Sequence, residues 1–441
     1  MAPRNAPRIR LGFLQGFLRA TEIDTRLLGM VVALAIIWIG FNLGSDGIFL
    51  TPRNLWNLSV QTSTVAIMAT GMVLVIVSRN IDLSVGSLMG FIGMVMGVVQ
   101  ARYIPLPEYL GLGFDQPYTW VVSLAVGIVL GGIIGALHGG VVAFLEIPSF
   151  IVTLGGLLVW RGAAWWVASG QTIAPLDSTF QLMGGGANGS IGATASWVVG
   201  GLICLGIVLT IVTGRRQRRR FQFPLRPIWA EVTLVGIGCA ATLGAVAVAN
   251  AYPWPVGIAR RYAAENNIAW PEGGLIIPTG IAIPVLVAIG VAIVMTFIAT
   301  RTRFGRYVFA LGGNPEAAEL AGINTRWVTV KIFIVMGMLC ALSAAVATAR
   351  LNASTNALGI LSELYVIAAA VIGGASFTGG IGTIPGAILG AVIMQSLQSG
   401  MVLMRIDAPL QNIVVGIVLV LAVGLDTAYQ RRAALTQRRR R

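Results

Sequence analysis

Apolar positions in this chain run on rather than alternate. Stretches such as "LLGMVVALAIIWIGF" (27–41) and "VVGIVLVLAVGL" (414–425) recur throughout, each at or near the roughly 20 residues that a membrane-spanning helix needs. A transmembrane barrel would alternate instead. The runs predict an all-α, polytopic membrane protein of twelve segments, some broken or short. These begin near Leu27, Asn57, Ser84, Tyr118, Ser149, Ser196, Trp229, Leu275, Val328, Leu361, Ile384 and Pro409.

One short polar stretch interrupts this pattern with a full set of helix signals: "GGNPEAAELAGI", Gly312 to Ile323. Asn314 can cap, Pro315 sits where its missing N–H costs nothing, Glu316 faces the positive end of the dipole, and Gly322 can take the left-handed residue that stops the helix. Two turns neither span a bilayer nor hold alone in water, so the stretch predicts a short helix with a partner.

Composition agrees with the pattern: 56% of residues are hydrophobic and 10% charged, outside the usual soluble range. The net charge of +14 would suit a nucleic-acid binder if it were clustered at random. Threaded alternately from a cytoplasmic N-terminus, however, the basic residues gather on one side, which is the positive-inside rule. "RRQRRR" (215–220) and "RRRR" (438–441) are then topology anchors, both termini are cytoplasmic, and no nucleic-acid partner is implied. The first apolar run ends in "FNLGSDG" without a cleavage motif, so it reads as an uncleaved helix. Before it, "LGFLQGFLRA" (11–20) has one apolar face edged by arginine and predicts an interfacial helix on membrane lipid. The organisation is therefore a cytoplasmic tail (1–26), a membrane domain (27–427) and a basic tail (428–441).

Gly127, Gly131, Gly135 and Gly139 recur every four residues, as do Gly382, Gly386 and Gly390, a spacing that lets helices approach closely. Packing within one subunit is the preferred reading over a dimer contact. Shifted by 296 residues, "VIVSRNIDLSVGSLMG" (75–90) lies on "VIGGASFTGGIGTIPG" (371–386), two helices broken by polar, glycine-rich sequence in the manner of a transporter repeat.

Chemistry is sparse. The only lysine, Lys331, lies in "WVTVKIF", so no phosphate-binding loop is present. Asp82, Glu231 and Glu363 fall near segment ends, and Asp82 reads as the cap of the third segment. His138 reads as a hydrogen-bonded packing residue, with no metal or redox motif nearby, and Cys204, Cys239 and Cys340 as packing thiols. Arg161 follows only a dozen residues of the fifth segment. It should either face a cavity, helix break or carbonyl, or snorkel outward beside Trp165 and Trp166. Polar residues of broken or glycine-rich segments, Gln61, Ser63, Asn80, Thr153, Arg161, Ser376 and Thr378, are the candidate translocation path, because an unpaired hydroxyl or amide is costly against lipid.

"NIDLSVGS", "IPSFIVTLGG" followed by "RG", "GRYVFALGGNPEAAELAGI" and "ELYVIAAAVIGGASFTGGIGT" together resemble the membrane-spanning permeases of bacterial ATP-binding-cassette importers for monosaccharides, of the ribose and xylose type. The resemblance implies a homodimer in the inner membrane, two copies of an ATPase subunit that carry the ATP and Mg²⁺, and a periplasmic sugar-binding protein. No cofactor is then held on this chain. Asn314, Pro315, Glu316, Ala317, Ala318, Glu319, Leu320, Ala321 and Gly322, in the cytoplasmic loop 300–327, resemble the coupling helix of that family. We expect Ala317, Ala318 and Leu320 to press into the ATPase while Glu316 and Glu319 meet polar or basic groups on it, the alternative being that Arg303, Arg306 or Arg326 neutralise them within the loop. The additional pair 196–251 makes the chain look most like the xylose type. A branched-chain amino-acid permease, or a secondary sugar carrier or channel, is the alternative.

Overall fold

The computed structural model describes residues 20–22 and 24–438, with side chains up to 424. The expected interfacial helix falls almost wholly outside the described residues, as do the last arginines, 439–441. The rest is helical: α1 (Thr25–Gly44), α2 (Pro52–Val77), α3 (Val85–Val98), α4 (Thr119–Phe144), α5 (Ser149–Val167), α6 (Ser178–Gln181), α7 (Gly192–Arg220), α8 (Ile228–Asn250), α9 (Val256–Glu265), α10 (Ile283–Arg301), α11 (Arg303–Gly313), α12 (Pro315–Leu320), α13 (Thr325–Leu351), α14 (Ser362–Ile372), α15 (Ile384–Leu403) and α16 (Ala408–Arg438). Among the described residues β-pairing is confined to isolated bridges. Among the described residues ten helices are long and apolar enough to cross a membrane, α3 only together with the π-helical turn Val99–Tyr103 that continues it; α14 and the apolar part of α16 are shorter.

Helix α2 is the axis of the core. Thr51 caps it, Pro52 opens it, and nearly every residue from Val65 to Val77 is buried. Helices α13, α15, α10 and α14 surround it. Helix α4 packs along α13 because the glycine stripe removes the side chains between them: a Cβ on Gly139 would stand 2.8 Å from the Val330 Cα, and one on Gly135 2.8 Å from the Ile334 Cα. Both stripes are intrasubunit contacts, for Gly390 likewise presses on Ala369 of α14 and Gly386 on Gly373 just after it.

Two expected segments differ in form. The eighth begins at Ile283, not near Leu275; Pro278 and Gly280 (φ +79°) keep the preceding residues extended, and Gly280 and Ala282 bridge to Gly192 and Ser190. The tenth contains only the 11-residue α14, since the chain after α13 does not emerge but folds back along α3. Ser354 Oγ donates to the Gly93 carbonyl (2.8 Å), and Leu358 and Gly359 lie against Gly90 and Gly86. Leu361 then takes a left-handed turn (φ +62°) and α14 starts within the bundle. Gly86, Gly90, Gly93 and Gly97 of α3 form the trough for this segment, which is a run of turns after the Ser354 bridge. The fifth segment continues past Arg161 to Val167.

Helices α7 and α8 pair with each other and stand largely apart from the core, α7 running on as helix through the basic stretch to Arg220. Arg215 pairs with Glu231 (2.7 Å), and Arg218 and Arg226 both reach Glu22 (2.6 and 2.8 Å) just before α1. Those two guanidiniums hold the Glu22 carboxyl at about 2, well below its ordinary value.

Candidate translocation and coupling site

The short polar helix forms as its residues dictate. Asn314 Oδ1 accepts the Ala317 N–H (3.0 Å), Pro315 occupies the first turn, and Gly322 (φ +80°) turns the chain out while the Ile323 N–H closes on the Ala318 carbonyl (3.1 Å). Its faces differ from the expected ones. Ala318 is 4% exposed and packed on its own chain, whereas Leu320 is 91% exposed and Glu316, Ala317 and Glu319 face outward. Ala318 therefore locks α12 to the bundle and cannot be part of a docking face. Among the described residues neither glutamate makes an ion pair; Arg326 is taken by Glu146 (3.0 Å) and Arg306 reaches only the Arg301 carbonyl.

Immediately before α12, the chain is clasped from the core. Arg79, in a left-handed conformation (φ +63°) after the end of α2, donates through Nε to the Gly312 carbonyl (2.7 Å) and through Nη2 to the Gly313 carbonyl (2.9 Å). The Gly380 N–H meets the Val77 carbonyl (2.9 Å), so the two halves of the suspected repeat touch here, each a helix, a break and a helix. A Cβ on Gly312 would collide with both backbones. Two core breaks and the root of α12 thus share one contact. The pattern of glycines at 312, 379 and 380 was the available signal; Arg79 was missed because a lone arginine at a segment end reads as a topology anchor.

The candidate path residues separate into groups. Gln61 lies with α15: Gln395 Nε2 donates to Gln61 Oε1 (2.9 Å) and to Gln398 Oε1 (3.1 Å), and Ser399 contacts Asn54 (3.3 Å). Ser63 points the other way, its hydroxyl satisfied by the Ser59 carbonyl one turn back (2.9 Å). Thr153 is similarly paired with the Ser149 carbonyl (2.8 Å) and bridges to Ile81 (3.2 Å). Because these hydroxyls are paired, the cost of lipid exposure gives no reason for them to line water. Asn80 bonds back to Ser78, and Ser376 to Thr378 (2.9 Å), in the two adjoining breaks at the α12 end.

Arg161 resolves in favour of the helix break. Its Nη1 donates to the carbonyls of Leu358 (2.8 Å) and Asn356 (3.2 Å), two groups that the folded-back segment leaves without helical partners. It is a clamp on that segment, with Trp165 and Trp166 exposed further along. His138 is a packing residue in a directed chain of hydrogen bonds. Trp160 Nε1 donates to His138 Nε2 (2.9 Å), Ser84 Oγ lies 3.4 Å from Nδ1, and Ser84 donates to Asp82 Oδ1 (2.6 Å). Ser84 rather than Asp82 is the cap position of α3; the Asp82 carboxylate accepts the Ser84 N–H (2.9 Å) from two residues outside. Among the described residues no group of side chains is arranged to hold a metal ion.

The family described as branched-chain amino acid transport system / permease component matches residues 54–423. The xylose transport system permease protein of Haemophilus influenzae is 36% identical over 411 residues, covering 93% of this chain and 98% of its own length. That of Escherichia coli K12 is 34% identical over 418 residues, covering 95% and 96%. The ribose import permease protein of the same strain is 28% identical over 401 residues, covering 91% and 93%. No solved structure matches the chain. A family match across the membrane domain, near-complete alignment with sugar permeases, and an all-helical bundle carrying a capped, outward-facing short helix lead to one conclusion: the chain belongs to the family of membrane-spanning transport-system permeases, as a transport subunit of the xylose and ribose type rather than an enzyme.

Proposed function

We propose that this chain forms the membrane path of an ATP-driven monosaccharide importer, with D-xylose as its substrate. The observation that carries this reading is the match to xylose permeases over nearly the full length of both partners. In this reading two copies pair in the bacterial inner membrane with both termini cytoplasmic, a periplasmic protein delivers the sugar, and an ATPase pair carries the ATP and Mg²⁺. The coupling helix is α12, anchored by Ala318 and presenting Leu320, Glu316 and Glu319 to the ATPase. Exposed Leu320 beside two unpaired carboxylates supports such a partner, since an apolar side chain standing free among charges is covered in an assembly. The Gln61–Gln395 cluster is the polar path between α2 and α15, and Arg79 and the paired breaks carry movement from α12 into it. The test is uptake of labelled D-xylose by proteoliposomes holding permease, ATPase and binding protein. ATP-dependent uptake that D-xylose competes and leucine does not is the expected result. Uptake of leucine instead would replace this reading by the amino-acid permease.

A further inference from the structure

At the end of the bundle opposite α12, the start of α2, the end of α13 and the glycine-rich turn 184–189 line an open cleft of about 440 Å³, within the range of small-ligand sites of about 300–1,000 Å³, with Asn188 and Arg350 exposed at its mouth. Its lining includes Asn57, Gln181, Asn188, Arg350 and Asn352, with no carboxylate. Asn352 uses its Oδ1 on the Leu176 N–H (2.9 Å) and Gln181 its Nε2 on the Leu176 carbonyl (2.9 Å), so each retains the other half of its amide. Asn57, Asn188 and Arg350 make no side-chain hydrogen bond or ion pair among the described residues. Trp56 is also in the wall, its Nε1 already donated to the Gly280 carbonyl (2.8 Å), which leaves only ring surface to a ligand.

We propose that this cavity is a binding vestibule for a neutral monosaccharide, through which sugar enters the permease before crossing it. The argument is one of donor and acceptor balance. Each carboxamide offers both a donor and an acceptor, as each sugar hydroxyl does, and a guanidinium adds donors in a plane. An amino acid would need a carboxylate beside its ammonium group, and the lining has none. A simple anion would leave the carboxamide oxygens without donors. The vestibule also leads inward. Asn57 and Gln61 are four residues apart on α2 and share a face, and Gln61 is bonded to Gln395 (2.9 Å). A sugar released from Asn57 therefore meets the next amide pair one turn deeper.

This inference rests on the sugar-permease reading and is tested separately from it. Permease and ATPase are placed in nanodiscs without the binding protein, and saturable binding of labelled D-xylose is measured for the wild type, Asn57→Leu and Arg350→Met, with thermal melting of each as a folding check. Saturable binding that leucine does not compete, weakened at least tenfold in both variants while melting is retained, is expected. Wild-type-like affinity in both variants overturns the vestibule, as does absence of binding in a complex whose full assembly takes up D-xylose. So does Arg350→Met losing capture of the binding protein with sugar affinity intact, which would make the cavity a docking face. If the full assembly does not take up D-xylose, the proposed substrate fails; binding of D-ribose or D-allose with the same dependence on Asn57 and Arg350 then upholds the vestibule, and absence of all three overturns it too.

Discussion

Arg79 Nε lies 2.7 Å from the Gly312 carbonyl oxygen, across 233 residues of chain, and ties the end of the central helix to the root of α12. A displacement of α12 would strain this bond as well as the packing of Ala318 on the bundle. A charged donor on two adjacent carbonyls is also a strong hinge pin, worth roughly 1.5–3 kcal/mol per hydrogen bond to a charged group.

Replacing Arg79 with glycine isolates this role, because glycine accepts the left-handed backbone (φ +63°) while removing the guanidinium. Sugar-stimulated ATP hydrolysis should fall by about tenfold or more, the factor that ~1.4 kcal/mol represents, with ATPase still co-purifying. Stimulation at the wild-type level would show that α12 does not act through Arg79.

The two faces of α12 predict opposite phenotypes. Leu320→Asp, on a residue 91% exposed, should leave the permease folded and reduce co-purification of the ATPase. Ala318→Arg, at 4% exposure, should instead lower the melting temperature of the permease by itself, since a long charged side chain cannot fit against the bundle. Normal ATPase capture by Leu320→Asp would remove α12 from the interface.

Arg161→Met keeps an unbranched apolar stem and removes the guanidinium donors. The carbonyls of Leu358 and Asn356 then lose their partner within the bundle. Hydrogen exchange should rise in residues 353–361, and uptake should fall more than the amount of assembled protein. A snorkelling arginine would leave the exchange of that segment unchanged.

The glycine stripe is tested against a glycine with space around it. Gly135→Val should strongly destabilise the chain, because the added atoms meet the α13 backbone, where overpacking costs about 1–3 kcal/mol or more. Gly140→Val, with nothing within 4 Å of the new Cβ, should melt like the wild type. If Gly135→Val changed only the oligomeric state, the stripe would be a subunit contact.

Glu22 makes the tie between the segment before α1 and the α7–α8 loop dependent on pH. Its pKa is lowered to about 2 from 4.5, so the ionised form is favoured when docked. The stabilisation is fully present above about pH 4.5 and is lost as pH falls through about 2. Salt should weaken the half-exposed pair as well. Hydrogen exchange at residues 20–22 should increase over that range, and Glu22→Gln should show the increase already at neutral pH.

How much was legible beforehand depended on the range of the physics. Helix existence follows from runs of apolar residues, and the capping of α12 by Asn314 and Gly322 involves neighbours within a few positions. The glycine stripes of α4 and α15 announced close contact by their spacing alone. The α3 glycines, Gly86, Gly90, Gly93 and Gly97, stand four, three and four residues apart, a one-face spacing of the same kind, but what they face is a run of turns more than 250 residues away that no local pattern announces.

Local sequence by itself determined that this chain is a helical membrane protein, where most spans start and stop, and that a short capped helix interrupts the polar loop 300–327. Its motifs also carried the family. Tertiary structure alone decided which face of that helix is free, that Arg161 holds a folded-back segment, that Arg79 clasps Gly312, and that Asn57 and Arg350 share a cavity. The reason is geometric: capping and hydrophobic burial act within a few residues, whereas an unpaired carbonyl or amide can be matched by a donor hundreds of residues away, and only packing brings the two within 3 Å.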